Sequence, residues 1–380
     1  MITTEAWVLE QGPPMPEPGS LTRKEFEFDD LEPHELLLEP LVGCWEANMT
    51  HAIDRDPVDV ARQRNDKEIV LGNSGMCRVA EVGSAVDTHE VGELVFFGCC
   101  GKEDPYGYAE LIHAYDSPGT VGTLSKLTKL PAVYAFKVPP SAAYSLRQWA
   151  AYPRYWSAWS NHKVAMACLR SQLSADVLPH PHVWSWGGGV GLAQMQLAAD
   201  MGCRAAMIAS TDARLEEIEE AGIVAIDRRE FSGLKFDPWR SGDAEYKAEY
   251  SAAEKAFLSV VKKVTGDEGV HIFVDNIGTP VHRATLRALA RQGVIATCGW
   301  KDGMLTNNMR AVECIARHTH VHTHAIGVHE CQEVIEYQAQ SGWIAPEPER
   351  VWGWDEIPEL AAAYRAGDID SYFPIFEVQT

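Results

Sequence analysis

With 380 residues, 46% of them hydrophobic, the chain carries enough apolar side chain for one large core or two ordinary ones. Its 33 Lys and Arg stand against 54 Asp and Glu, and the resulting formal charge of −21 opposes nucleic acid and anionic membrane surfaces. Any anionic ligand therefore needs a local basic pocket. Residues 1–7 contain no basic region, and no apolar run approaches a membrane span, so a cytoplasmic protein with neither nucleic-acid nor membrane partners is expected. Nine cysteines are scattered along the chain without a C-x-x-C pair and read as reduced, mostly buried thiols.

In chain order, strands are predicted over residues 5–9, 35–42, 76–82 and 92–97, with glycine and proline turns between them as in a small β-barrel. This strand-rich part runs to about residue 150. From 156 to about 325 helix and strand patterns alternate, as in a nucleotide-binding domain. The tail has a helical pattern over 358–366 and an apolar stretch over 372–378 suited to returning to the first domain.

Residues 182–192 are the most informative segment, because a short apolar strand runs into Gly187, Gly188, Gly189, Val190 and Gly191 and then into a helix. Such a turn lets the backbone approach a pyrophosphate and presents the amides of a helix N-terminus. Taken alone, it is also a tight strand-to-helix turn of any α/β fold. The context is a predicted helix over 192–201 closed by Gly202, a strand over 204–209, and a second helix over 214–221 closed by Gly222. Together these make half of a doubly wound sheet.

Register on Gly188 and Gly191 puts Trp186 where the first glycine of G-x-G-x-x-G is expected. Its indole either points away from the phosphates, packing under Trp184 or against the first domain, or fills the groove. Three successive residues without a Cβ favour the first alternative, and Trp186→Gly is then expected to leave dinucleotide affinity nearly unchanged. The second strand ends without an acidic residue, at Ala209. Ser210 and Thr211 offer hydroxyl donors, and Arg214 and Arg228 offer charge-assisted ones, which favours NADPH over NADH. The same turn also suits capping of the next helix, and Asp212 is placed to face a ribose.

Four stretches resemble the medium-chain dehydrogenase/reductase superfamily: Gly83-Ser84-Ala85-Val86-Asp87, Gly188-Gly189-Val190-Gly191, Phe273-Val274-Asp275-Asn276-Ile277-Gly278, and residues 293–299. The resemblance covers nearly the whole chain. Within the superfamily it is most similar to the crotonyl-CoA carboxylase/reductase branch, through Trp184, residues 226–231, an insert from 232 to about 268, residues 299–306 and residues 354–359. The resemblance implies an α/β fold: a β-rich, GroES-like catalytic domain over 1–150 and 326–380, and a Rossmann doubly wound parallel sheet over 151–325 that binds NADPH. It also puts Asn276, Cys298 and Gly299 beside the cofactor.

The implied chemistry is hydride transfer to the β-carbon of an α,β-unsaturated acyl thioester carried by CoA or an acyl carrier protein, followed by protonation or by capture of carbon dioxide. Glu103 and His324 match the glutamate and histidine of the carbon dioxide pocket in carboxylating relatives. Lys102 replaces their phenylalanine, and Asn48 lies one residue off the register of their asparagine. No metal is expected. Cys44 stands at the first position of a catalytic zinc site, but Gly72-Asn73-Ser74 replaces Gly-His-Glu, residues 152–155 offer no thiolate, and Cys99-Cys100 cannot replace a four-cysteine lobe.

His318, His320, His322 and His324 fall on one face of a predicted strand. The resemblance makes that strand a dimerisation edge; an interface or active-site-edge role is favoured over a metal site, and a homodimer or homotetramer is expected. Two other readings are a zinc-free quinone or enone oxidoreductase and a redox-neutral, non-catalytic descendant of the fold.

Overall fold

The computed structural model describes residues 1–15, 17–140, 144–303, 320–323 and 326–379, with only the backbone at positions 320, 322 and 323. They form two compact units, Met1–Pro153 with Gly327–Thr380, and Arg154–Ile326.

In the first unit, Ile2–Glu10 pairs antiparallel with Leu21–Phe28 and with Glu68–Val70. A larger sheet runs in the order Ala135–Lys137, Leu94–Phe97, Met76–Val82, Glu35–Cys44, Ile375–Glu377, Val351–Trp352, and Thr128–Pro131 also pairs with Glu35–Cys44. The four strands expected from alternating apolar residues are present. The shorter strands between them lack a run long enough to show a period of two. The tail does return: its helix spans Ile357–Ala366, and Ile375–Glu377 pairs antiparallel with residues 42–44. There Phe376 fills the space over Gly43, where a Cβ would lie 2.3 Å from the Phe376 ring.

The second unit is a six-stranded parallel sheet in the order Val224–Asp227, Arg204–Ala209, His182–Trp186, Val270–Val274, Leu289–Thr297, His320–Thr323. The order reverses direction after His182–Trp186, which puts a crevice at the carboxyl ends of that strand and of Val270–Val274. The strand period of two sends Trp184 and Trp186 to one face, where they join Ile208, Phe273 and Ile295 under the helices Ala244–Thr265 and Thr279–Ala288. Ser185 takes the other face, under the helix Gly189–Asp200, whose Gly191 leaves no room for a Cβ: it would lie 2.4 Å from Ser185 Oγ.

The insert is mostly one helix, Ala244–Thr265. Asp243 caps its first turn by accepting from the Glu245 and Tyr246 N–H groups, and Gly266 ends it in the left-handed conformation. Its buried stripe, Tyr246, Tyr250, Ala253, Phe257 and Val261, has helical spacing and packs toward Trp186 and Phe231. No helix among the described residues is long and apolar enough to cross a membrane.

Candidate active site

The helix of the glycine turn begins at Gly189, three residues before the apolar pattern suggests, because the glycines themselves wind into its first turn. Gly189, Val190 and Gly191 are therefore its first three residues. Gly188 caps it with φ 116°, a conformation that L side chains avoid, and nothing lies within 4 Å of where its Cβ would be. Gly187 is nearly as open, with only the Ile208 carbonyl at 3.3 Å. The space above Gly187 and Gly188 thus admits a ligand backed by free helix-terminal amides.

Trp186 does not enter that space. It is 1% exposed, and its ring centroid lies 5.1 Å from that of Phe257 and 5.4 Å from that of Phe273. The indole N–H donates to Thr285 Oγ1 at 2.7 Å. Of the two alternatives for the indole, the structure shows the one that faces away from the turn, but its packing partners are Phe257 of the insert and Phe273.

The second expected cofactor segment lies at the ends of Val270–Val274 and Leu289–Thr297. Asn276 Oδ1 accepts from the Cys298 N–H at 3.1 Å and from the Thr297 hydroxyl at 3.3 Å, and Gly299 N–H donates to Thr297 Oγ1 at 3.2 Å. Asn276, Cys298 and Gly299 are therefore brought together. Buried Asp275 accepts from the Ile277 and Gly278 N–H groups and shapes this loop.

At the end of Arg204–Ala209, Thr211 caps the helix Asp212–Glu220 by accepting from the Arg214 N–H at 3.4 Å. Arg228 lies against the Trp186 ring, 5.8 Å from its centroid. Burial lowers the Arg228 pKa, and the nearby Asp302 and Asp275 charges oppose that shift. Asp212 pairs with Arg229, which bridges it at 2.7 Å and Asp227 at 2.7 Å. Sequence reasoning passed over Arg229, although it directly follows Arg228. A strand reading assigns alternate faces, whereas Asp227 here caps a short 3₁₀ turn over Arg228–Phe231 that redirects both side chains.

In the first unit, Asn48 is part of a polar cluster. Its amide donates to Glu46 Oε2 at 3.2 Å and to Asn73 Oδ1 at 3.3 Å, the Tyr115 hydroxyl donates to Asn48 Oδ1 at 3.4 Å, and Ser74 reaches Glu46 Oε1 at 3.5 Å. The tail holds this loop: Trp45 N–H donates to Pro374 O at 2.8 Å, and the Trp45 and Phe376 rings meet edge to face. Burial raises the Tyr115 pKa and the Glu46 charge adds to it, so the phenol stays protonated.

Of the groups in this cluster, only Glu46 is a usual zinc ligand. Asn73 and Ser74 offer no imidazole or carboxylate, and the Tyr152 phenol is engaged by the Gly75 N–H and the Phe97 carbonyl. Among the described residues no three His, Cys, Asp or Glu side chains gather to hold a metal. Burial also keeps thiols protonated, with Cys99 pushed up to about 12.

Glu103 is exposed on the hairpin strand Cys100–Glu103, where its charge reaches Cys100 and Tyr134 rather than the Asn48 cluster. His318 and His324 lie outside the described residues, as do the side chains of His320 and His322.

Residues 189–340 match the family model of the zinc-binding dehydrogenases. No curated protein matches the sequence. Among solved structures, the chain resembles the crotonyl-CoA carboxylase/reductase AntE in complex with NADP, at TM-score 0.78 and 20% identity over 99% of this chain and 95% of that one. It also resembles the 2-octenoyl-CoA carboxylase reductase CinF in complex with NADP and 2-octenoyl-CoA, at TM-score 0.78 and 18% identity over 99% and 87%. An alcohol dehydrogenase from Thermus sp. ATN1 follows at TM-score 0.73 and 17% identity over 99% and 100%.

The chain thus has the two-part fold of the medium-chain dehydrogenase/reductase superfamily. Within that fold, residues 189–340 match the zinc-binding dehydrogenase model, and the chain is similar in structure to the crotonyl-CoA carboxylase/reductases.

Proposed function

We propose that the protein is an NADPH-dependent reductase of α,β-unsaturated acyl thioesters, with CoA or an acyl carrier protein as the carrier and reductive carboxylation as an optional outcome. The observation that carries the reading is the open space over Gly187 and Gly188, kept clear because Trp186 is turned into the core. The residues fit a dinucleotide: the first amides of Gly189–Asp200 would hold the pyrophosphate, and Ser210, Thr211 and Arg229 the 2′-phosphate. Asn276, Cys298 and Gly299 would flank the nicotinamide. The likeness to two carboxylase/reductases solved with NADP supports this assignment.

When bound, the nicotinamide supplies a hydride to the β-carbon of the substrate. The chain's own groups orient the thioester and meet the charge that develops on its oxygen; the Asn48 amide is the donor we assign, by exchanging its present Asn73 partner for the substrate. With Glu46 the cluster's one usual zinc ligand, this neutral donor takes the electrostatic role.

NADPH oxidation measured with crotonyl-CoA, with and without bicarbonate, is expected to show turnover, and a rate rise with bicarbonate would assign carboxylation. Turnover of a free quinone with no response to the acyl-CoA would replace this reading with the quinone reductase one. Failure of NADPH to bind, read by nicotinamide fluorescence, would leave only a non-catalytic descendant. Stoichiometric zinc in the purified protein would contradict the donor-set argument.

A further inference from the structure

We propose that Trp186 is a positioning residue for the loop 275–278, acting through a buried relay of hydrogen bonds that runs from the glycine turn to the segment carrying Asn276. The inference rests on the NADPH reading only for its functional consequence.

The relay starts at the indole N–H of Trp186, which donates to Thr285 Oγ1 at 2.7 Å. With one lone pair so occupied, the Thr285 hydroxyl has a single proton to give. Two acceptors are in reach, Asp275 Oδ2 at 3.0 Å and the Val281 carbonyl at 3.1 Å. The charged carboxylate is the stronger acceptor and takes it. The other carboxylate oxygen, Asp275 Oδ1, accepts from the Ile277 N–H at 3.1 Å and the Gly278 N–H at 2.9 Å.

Trp186 is 1% exposed, and Thr285 and Asp275 are fully buried, so water does not replace a lost member, and the equally buried His282 Nδ1 stands 3.6 Å from Asp275 Oδ2, beyond hydrogen-bond distance. A buried carboxylate deprived of one donor holds its remaining partners in altered geometry.

The loop has little slack to absorb such a change. Gly278 sits at φ 96°, with the Gly303 carbonyl 1.9 Å from where a Cβ would be, and the Thr279 N–H donates to that same carbonyl at 2.7 Å. Lys301 N–H and Asp302 N–H donate to the carbonyls of Asn276 and Ile277, so the loops 275–279 and 301–303 are tied edge to edge. Asn276, through its side-chain oxygen, then fixes the Cys298 N–H. A glycine at position 186 has no donor to start this chain. The departure from the usual glycine pattern is therefore a second use of the position, made possible by the insert residue Phe257, which covers the indole.

The test compares Trp186→Phe, which keeps an aromatic ring and removes the N–H, with Thr285→Val, which keeps the shape and removes the hydroxyl. Thr285→Ser, which retains it, is the rescue. In the cofactor-free protein, amide hydrogen exchange at Ile277 and Gly278 is expected to speed up about tenfold in Thr285→Val, the size of one lost hydrogen bond to a charged group, by a smaller factor in Trp186→Phe, which removes the neutral bond one step upstream, and to stay at the parent value in Thr285→Ser. NADPH dissociation constants should follow the same order.

Unchanged exchange in both Trp186→Phe and Thr285→Val, or Thr285→Ser behaving like Thr285→Val, overturns the proposal. Should Trp186→Phe fail to fold, the two Thr285 variants decide alone. If the exchange pattern follows the relay while the parent binds no NADPH, the relay stands and the reductase reading falls.

Discussion

Gly188 and Gly191 lie three residues apart and are needed for different reasons. At Gly188 the constraint is φ 116° together with open space, so Gly188→Ala adds about 1–3 kcal/mol of backbone strain and puts a methyl group where a pyrophosphate would sit. At Gly191 a Cβ would meet Ser185 Oγ at 2.4 Å and the Trp186 carbonyl at 2.9 Å, which pries the helix off its strand. Gly188→Ala is expected to abolish NADPH binding in a fluorescence titration with a small drop in melting temperature. Gly191→Ala should show the larger melting loss. The reverse ranking would contradict the assignment of the turn.

Cofactor choice is also decided among single residues. NADPH should bind more tightly than NADH, and Arg229→Ala should narrow that gap by about tenfold, as expected on losing a charge-assisted contact to phosphate. Arg228→Ala, whose side chain lies on the Trp186 ring, should narrow it less. Titrations with both cofactors on both variants check this, and equal affinities in the parent would remove the role given to Ser210 and Thr211. The expectation that Trp186→Gly leaves affinity unchanged does not survive the structure. That change would empty a core site and strand Thr285, so its effect would report on folding as much as on the groove.

At the scale of elements, the insert helix Ala244–Thr265 supplies part of the core rather than a surface appendage. Phe257 is fully buried and packs against the tilted rings of Trp186 and Phe231, so Phe257→Ala should cost about 3–5 kcal/mol in a urea titration of the protein. A loss under 1 kcal/mol would show that the helix is loosely docked. The same helix meets Thr279–Ala288 through Glu254, which is 3% exposed and takes Arg283, Arg287 and the Tyr250 hydroxyl as partners. The insert thereby braces the helix that carries Thr285.

Two expectations belong to the whole molecule. Among the described residues the six-stranded sheet ends at His320–Thr323, and an edge strand with an unpaired ladder is usually covered. Pairing of this edge with a second copy gives a two-fold dimer or a dimer of dimers, and light scattering at micromolar concentration checks it, a monomer counting against it.

The second concerns pH. His113, His162 and His271 are held neutral by burial, each with its pKa lowered from 6.5 to about 4. For a base with a depressed folded value, the unfolded chain binds more protons between those two values. Stability is therefore full above about 6.5 and is lost as pH falls toward 4. The urea midpoint should be lower at pH 5 than at pH 7, and an equal or higher midpoint at pH 5 would refute the buried neutral histidines.

The fold was legible in the chain wherever neighbouring residues carry the signal. Apolar alternation located the strands around residues 5–9, 35–42 and 76–82. The run from His182 through the glycines to Gly202 defined strand, turn and helix, and the endings at Gly202 and Gly222 follow from backbone freedom at those residues. The missed insert helix was also legible, in the spacing of Tyr246, Tyr250, Phe257 and Val261 between Asp243 and Gly266. The short strands such as Ala109–Ile112 were not, since four residues carry no period.

Three facts came only with the packed fold: which way Trp186 turns, that Arg229 bridges Asp212 and Asp227, and that Asn48 joins Glu46, Asn73 and Tyr115. Those facts depend on partners 99, 17 and up to 67 residues away in the chain. A pattern confined to neighbouring residues holds no record of such contacts, because they exist only once the sheet has set its faces and the helices have covered them.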